Sequence, residues 1–207
     1  MRTTLALVGC GGRVEVALAG RGLPAPSLVA LSPPQPKASL LLRAVQEVLE
    51  AAGIDLGALE LIVASRGPGS FTGIRNTLAC AFGLSLGRGI PLHGFSSLLM
   101  QAARTEEEEV LAVQPARRGW VYAQPFRRLE EWQPTDTVHT VPVAQVLRWK
   151  LPVIGPIGLS LPAETPQALA RSTPAEALLI LASRLSQPDP SSLTPMYLEP
   201  FPVARDQ

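Results

Sequence analysis

The sequence has little charge, and that shortage excludes two classes of protein. Charged residues make up 17% of the 207 positions against 46% for hydrophobic ones, the opposite of the balance in a disordered chain. The formal net charge of +1 excludes a strongly basic nucleic-acid binder or a polybasic membrane-surface protein. Any nucleic-acid contact therefore has to come from a local patch.

Cysteine and histidine are also scarce. The two cysteines, Cys10 and Cys80, exclude a disulfide-rich scaffold, and with no secretory leader before Arg2 they predict a cytoplasmic protein. Neither cysteine has a C-x-x-C context, and His93 and His139 lack helical spacing, so no metal site or metalloprotease is predicted. No apolar run approaches the ~20 residues that a membrane span needs.

Acidic residues are absent from residues 61–105, although four arginines fall there. No carboxylate in that segment can hold Mg²⁺ or act as a general base. A P-loop is excluded because no lysine lies between Lys37 and Lys150. The glycine-rich loop of this segment also departs from the dinucleotide fingerprint, since its third glycine is one place late. We therefore predict no cofactor.

What the chain does contain is an alternation of strand and helix patterns. Residues 3–8 and 13–18 flank a glycine-rich reversal and predict a β-hairpin. Apolar side chains at helical spacing predict helices over 38–52 and 72–86, with a buried strand at 61–64 between them. Strands alternating with helices predict the α/β class.

The pattern restarts after four consecutive glutamates at 106–109. The elements predicted beyond them are strands at 110–113, 120–123 and 152–155 and helices at 143–149 and 175–185. We predict an N-terminal lobe of residues 1–100 and a smaller C-terminal lobe of residues 101–207, whose tail returns to the first lobe.

The loop at 67–73 is the most unusual segment. A glycine-rich turn from a strand into a helix exposes backbone N–H groups at the positive end of the helix, which suits an anion. A purely structural turn explains the same glycines, and we favour it. The candidate anion contacts are Gly67, Gly69, Ser70, Thr72, Gly73 and Arg75.

This loop also carries a family resemblance. Gly-Pro-Gly-Ser-Phe-Thr-Gly-Ile-Arg at 67–75, followed by Gly-Ile-Pro-Leu-His-Gly-Phe-Ser-Ser-Leu at 89–98, resembles the signature of the TsaB/YeaZ family. Two weaker matches to the same family are Ala-Arg-Arg-Gly at 116–119 and Pro-Met-Tyr-Leu at 195–198. The resemblance implies an actin/Hsp70/sugar-kinase-like (ribonuclease H-like) fold of two α/β lobes.

The resemblance implies a role as well. Family members pair with a paralogous catalytic subunit, TsaD, which transfers threonylcarbamoyl to the adenosine at tRNA position 37, and they work with a small ATPase, TsaE. They meet tRNA through that complex. Here Val8 stands where the family usually has an aspartate, and Pro115 and Trp120 replace two expected acids. These departures weaken an inherited catalytic role and leave a partner role intact.

We predict that the two N-terminal helices share an apolar face. It would pack against equivalent helices of the catalytic partner, or against a second copy as a homodimer when the partner is absent. Rows of small residues four apart allow such close helix packing. The predicted interface residues are Leu41, Val45, Val48, Leu49, Leu78, Ala79, Phe82, Gly83 and Leu86. The alternative is that they face the chain's own sheets, as some must.

Two other functional classes stay open. A kinase-like or acyl-transferring enzyme of the same fold would bind a nucleotide, and it predicts an acid in the first turn, where none is present. An RNA-binding accessory module is indicated by two arginine pairs with aromatic residues between them. Its candidate contacts are Arg117, Arg118, Arg127 and Arg128, interleaved with Trp120, Tyr122 and Phe126.

Overall fold

The computed structural model describes residues 2–32 and 37–198. Its first sheet contains β1 (Thr4–Val8), β2 (Val14–Ala19), β3 (Ser27–Leu31), β4 (Leu61–Ser65) and β5 (Leu92–Phe95), in the order β3-β2-β1-β4-β5. β1, β2 and β3 are antiparallel neighbours, whereas β4 and β5 extend the sheet in parallel. Parallel neighbours need crossover connections, and helices supply them.

Three α-helices cover this sheet: α1 (Lys37–Ala52), α2 (Phe71–Leu86) and α4 (Pro174–Ser183). A fourth, α3 (Ser97–Ala102), packs on α4 and on the second sheet. α1 and α2 pack on each other, and so do α3 and α4, with α4 against β1, β2 and β4. Every residue of those three strands is buried, so we place α4 on the face of the sheet opposite α1 and α2. Leu5, Leu18 and Ile62 are wholly enclosed. Burial of each contributes about 1.5–3 kcal/mol.

The second sheet is built from β6 (Glu109–Pro115), β7 (Trp120–Arg128), β8 (Trp132–Pro134), β9 (His139–Pro142) and β10 (Val153–Ile154). β6 and β7 form an antiparallel hairpin, β10 runs parallel to β6, and β8 and β9 both pair with β7. A 3-10 helix, Val143–Trp149, follows β9 and places Val146 in a small apolar cluster with β6, β7 and β10.

The chain returns to the first sheet at α4. This helix begins in a capping box, in which the Thr173 hydroxyl accepts from the Glu176 N–H and the Glu176 carboxylate accepts from the Thr173 N–H. A 3-10 turn, Pro190–Leu193, then packs beside β5. The division into lobes at about residue 100 stays a prediction.

The α/β class predicted from the sequence is confirmed, and so are the hairpin, the helices ending at Ala52 and Leu86 and the strand beginning at Leu61. The prediction missed β3, α3, β8 and β9. α3 has only 6 residues and β8 only 3, which is too short for a periodic pattern to show. Residues 143–149 form a 3-10 helix, not an α-helix. Most of the proline-rich stretch at 31–36 lies outside the described residues.

Within residues 2–32 and 37–198, no helix combines the length and the apolar character that crossing a lipid bilayer requires.

Candidate functional site

The loop between β4 and α2 packs its backbone against the turn after β1. Gly73, in the first turn of α2, lies so close to the carbonyl oxygen of Gly9 that a β-carbon would overlap it. The Ser70 hydroxyl caps α2 by accepting from the Gly73 N–H at 3.3 Å, and the Ser70 N–H donates to the Cys10 carbonyl at 3.1 Å. The close packing of the two backbones therefore explains why this loop contains glycine. An anion contact by this loop and Arg75 stays a prediction.

The C-terminal Pro-Met-Tyr-Leu motif closes over the same loop. The Met196 N–H donates to the Arg66 carbonyl at 2.8 Å, and the Tyr197 ring centroid lies 5.0 Å from that of Phe71. Gly67 has a φ of +100°, and a β-carbon there would meet the Met196 carbonyl oxygen at 2.8 Å. Two motifs that are far apart in the sequence thus form one surface.

The turn after β1 presents no carboxylate. Val8 is buried, and the Cys10 sulfur accepts a hydrogen bond from the Ser97 hydroxyl at 3.1 Å. Glu15, in β2, is only 2% exposed. Its oxygens accept from the Arg13 Nε at 2.6 Å and from the Ala175 N–H at 3.2 Å, so this carboxylate ties β2 to the start of α4.

Five of the nine predicted interface residues lie in the chain's own core: Leu41, Val45, Val48, Leu49 and Leu78, each no more than 9% exposed. For these five the prediction is corrected, because the helical stripe that contains them covers the sheet. The one large apolar side chain that α1 leaves exposed among its described residues is Leu42.

The other four predicted residues line the outer face of α2: Ala79, Phe82, Gly83 and Leu86. Phe82 is 41% exposed and Leu86 is 84% exposed. At Gly83 a β-carbon would meet nothing within 4 Å, so no neighbour in the described chain requires a glycine. We call Ala79, Phe82, Gly83 and Leu86 the outer face of α2. It is apolar and contains two small residues, and the described part of the chain leaves it exposed.

The four candidate RNA-binding arginines form two separate pairs. Arg127 and Arg128 lie at the far end of β7 from the Arg117–Arg118 turn, roughly 25 Å away at ~3.3 Å per residue. Arg127 pairs with Glu109 at 2.5 Å, and the Arg117 guanidinium lies 4.1 Å from the centroid of the Trp120 ring.

The aromatic residues between these pairs are less available than the sequence indicates. Tyr122 and Phe126 are buried, so the predicted interleaving of three accessible rings is wrong, and Trp120 alone of the three stays half-exposed. Both faces of β7 are covered by tertiary packing, which the sequence pattern does not show. Tyr122 and Phe126 belong to the main core, and Val121 and Ala123 belong to the small apolar cluster of the second sheet. RNA contact by the four arginines stays a prediction.

The histidines and cysteines have ordinary roles. His93 accepts the Asp189 N–H at 3.1 Å, and His139 contacts Asp136 at 2.9 Å. Burial raises the pKa of the Cys80 thiol to about 11, which makes it a poor nucleophile at neutral pH. No three His, Cys, Asp or Glu side chains converge on a metal-sized site in the described part of the chain.

Comparison with known proteins decides the family. The family model described as "TsaD: tRNA N6-adenosine threonylcarbamoyltransferase" matches residues 36–161, more than half of the chain. The "tRNA threonylcarbamoyladenosine biosynthesis protein TsaB" of Escherichia coli (strain K12) is 34% identical over 110 residues, 50% of this chain and 48% of that protein. The solved structure of YeaZ from Pseudomonas aeruginosa has a TM-score of 0.77 at 28% identity, covering 96% of this chain and 100% of that one. This chain belongs to the TsaD family, in its TsaB/YeaZ branch.

The TsaB/YeaZ assignment confirms the resemblance seen in the signature loop, and it confirms the actin-like, ribonuclease H-like fold class. A second relative, the TsaB of Haemophilus influenzae, is 35% identical over 86 residues, 40% of this chain. The chain spans about half or less of the length of these curated relatives, 48% and 36%. The family-model match contains α1, the signature loop and α2.

Proposed function

We propose that this chain is a non-catalytic subunit required for N6-threonylcarbamoyladenosine formation at position 37 of tRNA, and that it binds and activates a TsaD-like catalytic subunit. The curated relatives are described as tRNA threonylcarbamoyladenosine biosynthesis proteins. The proposal extends that pathway to this chain through the signature that it shares with them.

The observation that carries the partner role is Gly83 on the outer face of α2. A glycine inside a helix lowers stability by about 1 kcal/mol relative to alanine. No neighbour among residues 2–32 and 37–198 offsets that loss, because a β-carbon at Gly83 would have none of their atoms within 4 Å. Close packing of a helix from another chain against α2 would explain the glycine, because small residues allow two helix backbones to come together.

The occupant we propose for this face is a pair of helices from the catalytic subunit. Phe82 and Leu86 are large exposed apolar groups, and Leu42 of α1, 58% exposed, is the one on the neighbouring helix. Two helices from each chain would form a four-helix contact. When the catalytic subunit is absent, a second copy of this chain covers the same face and forms a homodimer.

The non-catalytic part of the proposal is supported by the turn after β1. Nucleotide-using relatives of this fold need a carboxylate there, and here the side chain is Val8, buried and apolar. The one buried carboxylate nearby in sequence, Glu15, is occupied by Arg13 and the start of α4. The family model that matches this chain describes the transferase. We nevertheless assign the chemistry to a paralogous TsaD-like partner, because this chain lacks the carboxylate after β1.

Activation follows if this subunit binds one conformation of its partner more tightly than the others, because differential binding shifts the population toward the bound state. A TsaE-like ATPase and tRNA would then meet this chain through the complex. We assign no cofactor to this chain and place it in the cytoplasm.

The test is the paired substitution Ala79→Arg and Ala144→Arg. Both alanines are exposed in helical segments, but Ala144 lies in the 3-10 helix of the second sheet. We expect Ala79→Arg to lower co-purification with the TsaD-like subunit at least 10-fold and to abolish tRNA modification in the reconstituted reaction. Ala144→Arg should leave both unchanged.

Melting curves identify any variant that fails to fold. If folded Ala79→Arg protein still forms the heterodimer and supports modification, the outer face of α2 is not the interface. If the isolated wild-type chain modifies tRNA without a partner, the non-catalytic assignment fails.

A further inference from the structure

A cavity of about 260 Å³ lies between the two sheets. The turn and start of β2 form one wall, with Arg13 and Glu15, and Arg104 after α3 and Gln114 of β6 form another. Val8 and Pro174 complete the apolar part of the lining. This cavity is distinct from the outer face of α2, and none of the residues predicted from the sequence as contacts lines it.

Gln114 is the first sign that the cavity binds something. Its side chain is 1% exposed, and neither its Nε2 nor its Oε1 has a hydrogen-bond partner among the described residues. Buried amides are nearly always satisfied, because an unpaired donor or acceptor has lost its water without replacement. A carboxamide that lines a cavity with both polar atoms free offers one donor and one acceptor to a ligand.

Arg104 is the second sign. It is 3% exposed, and its Nε and Nη1 donate to the Ser172 and Gly155 carbonyls, both at 2.9 Å, and to the Gln101 side-chain oxygen at 2.5 Å. All three acceptors are neutral, and across residues 2–32 and 37–198 no carboxylate lies within ion-pair distance of this guanidinium. Burial lowers the pKa of Arg104 and the charge of Glu15 opposes that effect, but Glu15 makes its ion pair with Arg13. Buried charges are normally paired directly, so Arg104 offers a direct partner to an anion.

The charges in the wall limit the class of anion. Arg13 and Arg104 contribute two positive charges and Glu15 one negative charge, which leaves one positive charge in the lining. A monoanion neutralises it, whereas a polyphosphate would meet the Glu15 carboxylate without a metal ion between them. The volume of about 260 Å³ also lies below the ~300–1,000 Å³ typical of larger ligand pockets.

We propose that this cavity binds a small monoanionic carboxylate that also carries a hydroxyl group. The carboxylate pairs with Arg104 and accepts from the Gln114 Nε2, and the hydroxyl group donates to the Gln114 Oε1. Arg104 keeps its two Nη2 hydrogens for this purpose, since its three other N–H groups are already used. The inference concerns a site other than the partner face and does not depend on the proposed function.

The experiment is a melting-temperature titration of the full chain with five probes: L-lactate, L-serine, acetate, inorganic phosphate and MgATP. We expect L-lactate to raise Tm in a saturable manner. L-Serine has no net charge because its ammonium group balances its carboxylate, so it should bind at least 10-fold more weakly than L-lactate. Acetate lacks the donor and should bind at least 10-fold more weakly. Phosphate and MgATP should leave Tm unchanged.

Gln114→Met is the decisive variant because it keeps the approximate shape of the side chain and removes both unpartnered atoms. It should fold with a Tm at or above that of the wild type and lose the shift caused by the probe. Gln46→Met, on the exposed face of α1, is the matched control and should keep the shift.

The proposal is overturned if L-lactate does not shift the Tm of the wild type, which would mean a cavity filled by water only. It is also overturned if the shift survives in Gln114→Met, or if phosphate or MgATP binds as tightly as the carboxylates. Co-purification of Gln114→Met with the catalytic subunit should be normal, so a failure here leaves the proposed function standing.

Discussion

At the scale of single residues, two glycines of the same helix have opposite roles. Gly73 faces the backbone of Gly9, and a β-carbon there would collide with atoms that cannot rotate away. Gly83 faces open space. The fold therefore explains Gly73, whereas none of the described neighbours explains Gly83.

The first prediction compares Gly73→Ala with Gly83→Ala. Overpacking against backbone should lower the free energy of unfolding of Gly73→Ala by about 1–3 kcal/mol or more. Gly83→Ala should raise it by up to about 1 kcal/mol, because alanine is the better helix former. Urea denaturation of the isolated chain measures both. Equal effects of the two substitutions would show that the close approach at Gly73 is not tight.

At the scale of elements, β5 holds the C-terminal 3-10 turn through side chains and backbone. His93 accepts the Asp189 N–H at 3.1 Å, and the Gly94 N–H donates to the Ser192 hydroxyl at 2.7 Å. Burial, the largest cause, lowers the pKa of His93, with the Asp189 charge opposing it and the Arg66 charge adding to it. The neutral imidazole is therefore the form that the folded chain prefers.

The second prediction concerns pH. Because the pKa of His93 is lower in the folded chain, the unfolded chain takes up the proton first as the pH falls below about 6.5. The His93 contribution to stability is thus complete above that value and declines as the pH falls toward the folded pKa. Between about pH 7.5 and about pH 5.5, wild type should lose more stability than His93→Gln, which keeps an acceptor but does not titrate.

Urea midpoints at the two pH values give the comparison. The difference between wild type and variant removes the contribution of every other titrating group. Parallel losses in both proteins would mean that His93 does not help to hold the turn.

At the scale of the whole molecule, the first sheet depends on residues from the far end of the chain. α4 lies against β1, β2 and β4, and Ala175, Ala177 and Leu178 are wholly buried there. Leucine burial contributes about 1.5–3 kcal/mol per side chain, against a net stability of about 5–15 kcal/mol for a domain. The N-terminal half alone therefore lacks one of its layers.

The third prediction is that a fragment of residues 1–105 does not unfold cooperatively by itself. Co-expression with residues 106–207 should restore a cooperative transition, because α4 can dock without being covalently joined. Circular dichroism during thermal unfolding provides the measurement. A sharp transition in the fragment alone would show that the first lobe is complete without α4.

The sequence by itself determined the long elements and the family. The amphipathic period of α1, the apolar run of β4 and the glycine spacing of the signature loop are local patterns, so they can be read without coordinates. The same patterns did not show which apolar residues face inward. Leu41 and Val45 were predicted as partner contacts and lie in the core, whereas Phe82 and Leu86 are exposed.

Only the tertiary structure shows which apolar residues of α1 and α2 are buried and which are exposed. A helix with a wide apolar surface does not specify which side meets its own sheet. The cavity between the two sheets also depends on the tertiary structure. Arg104 and Gln114 look unremarkable in sequence, and they become a candidate site only because α3 and β6 bring them to one wall beside Glu15. Charge and hydrogen-bond satisfaction depend on neighbours in space, and the order of residues along the chain does not give those neighbours.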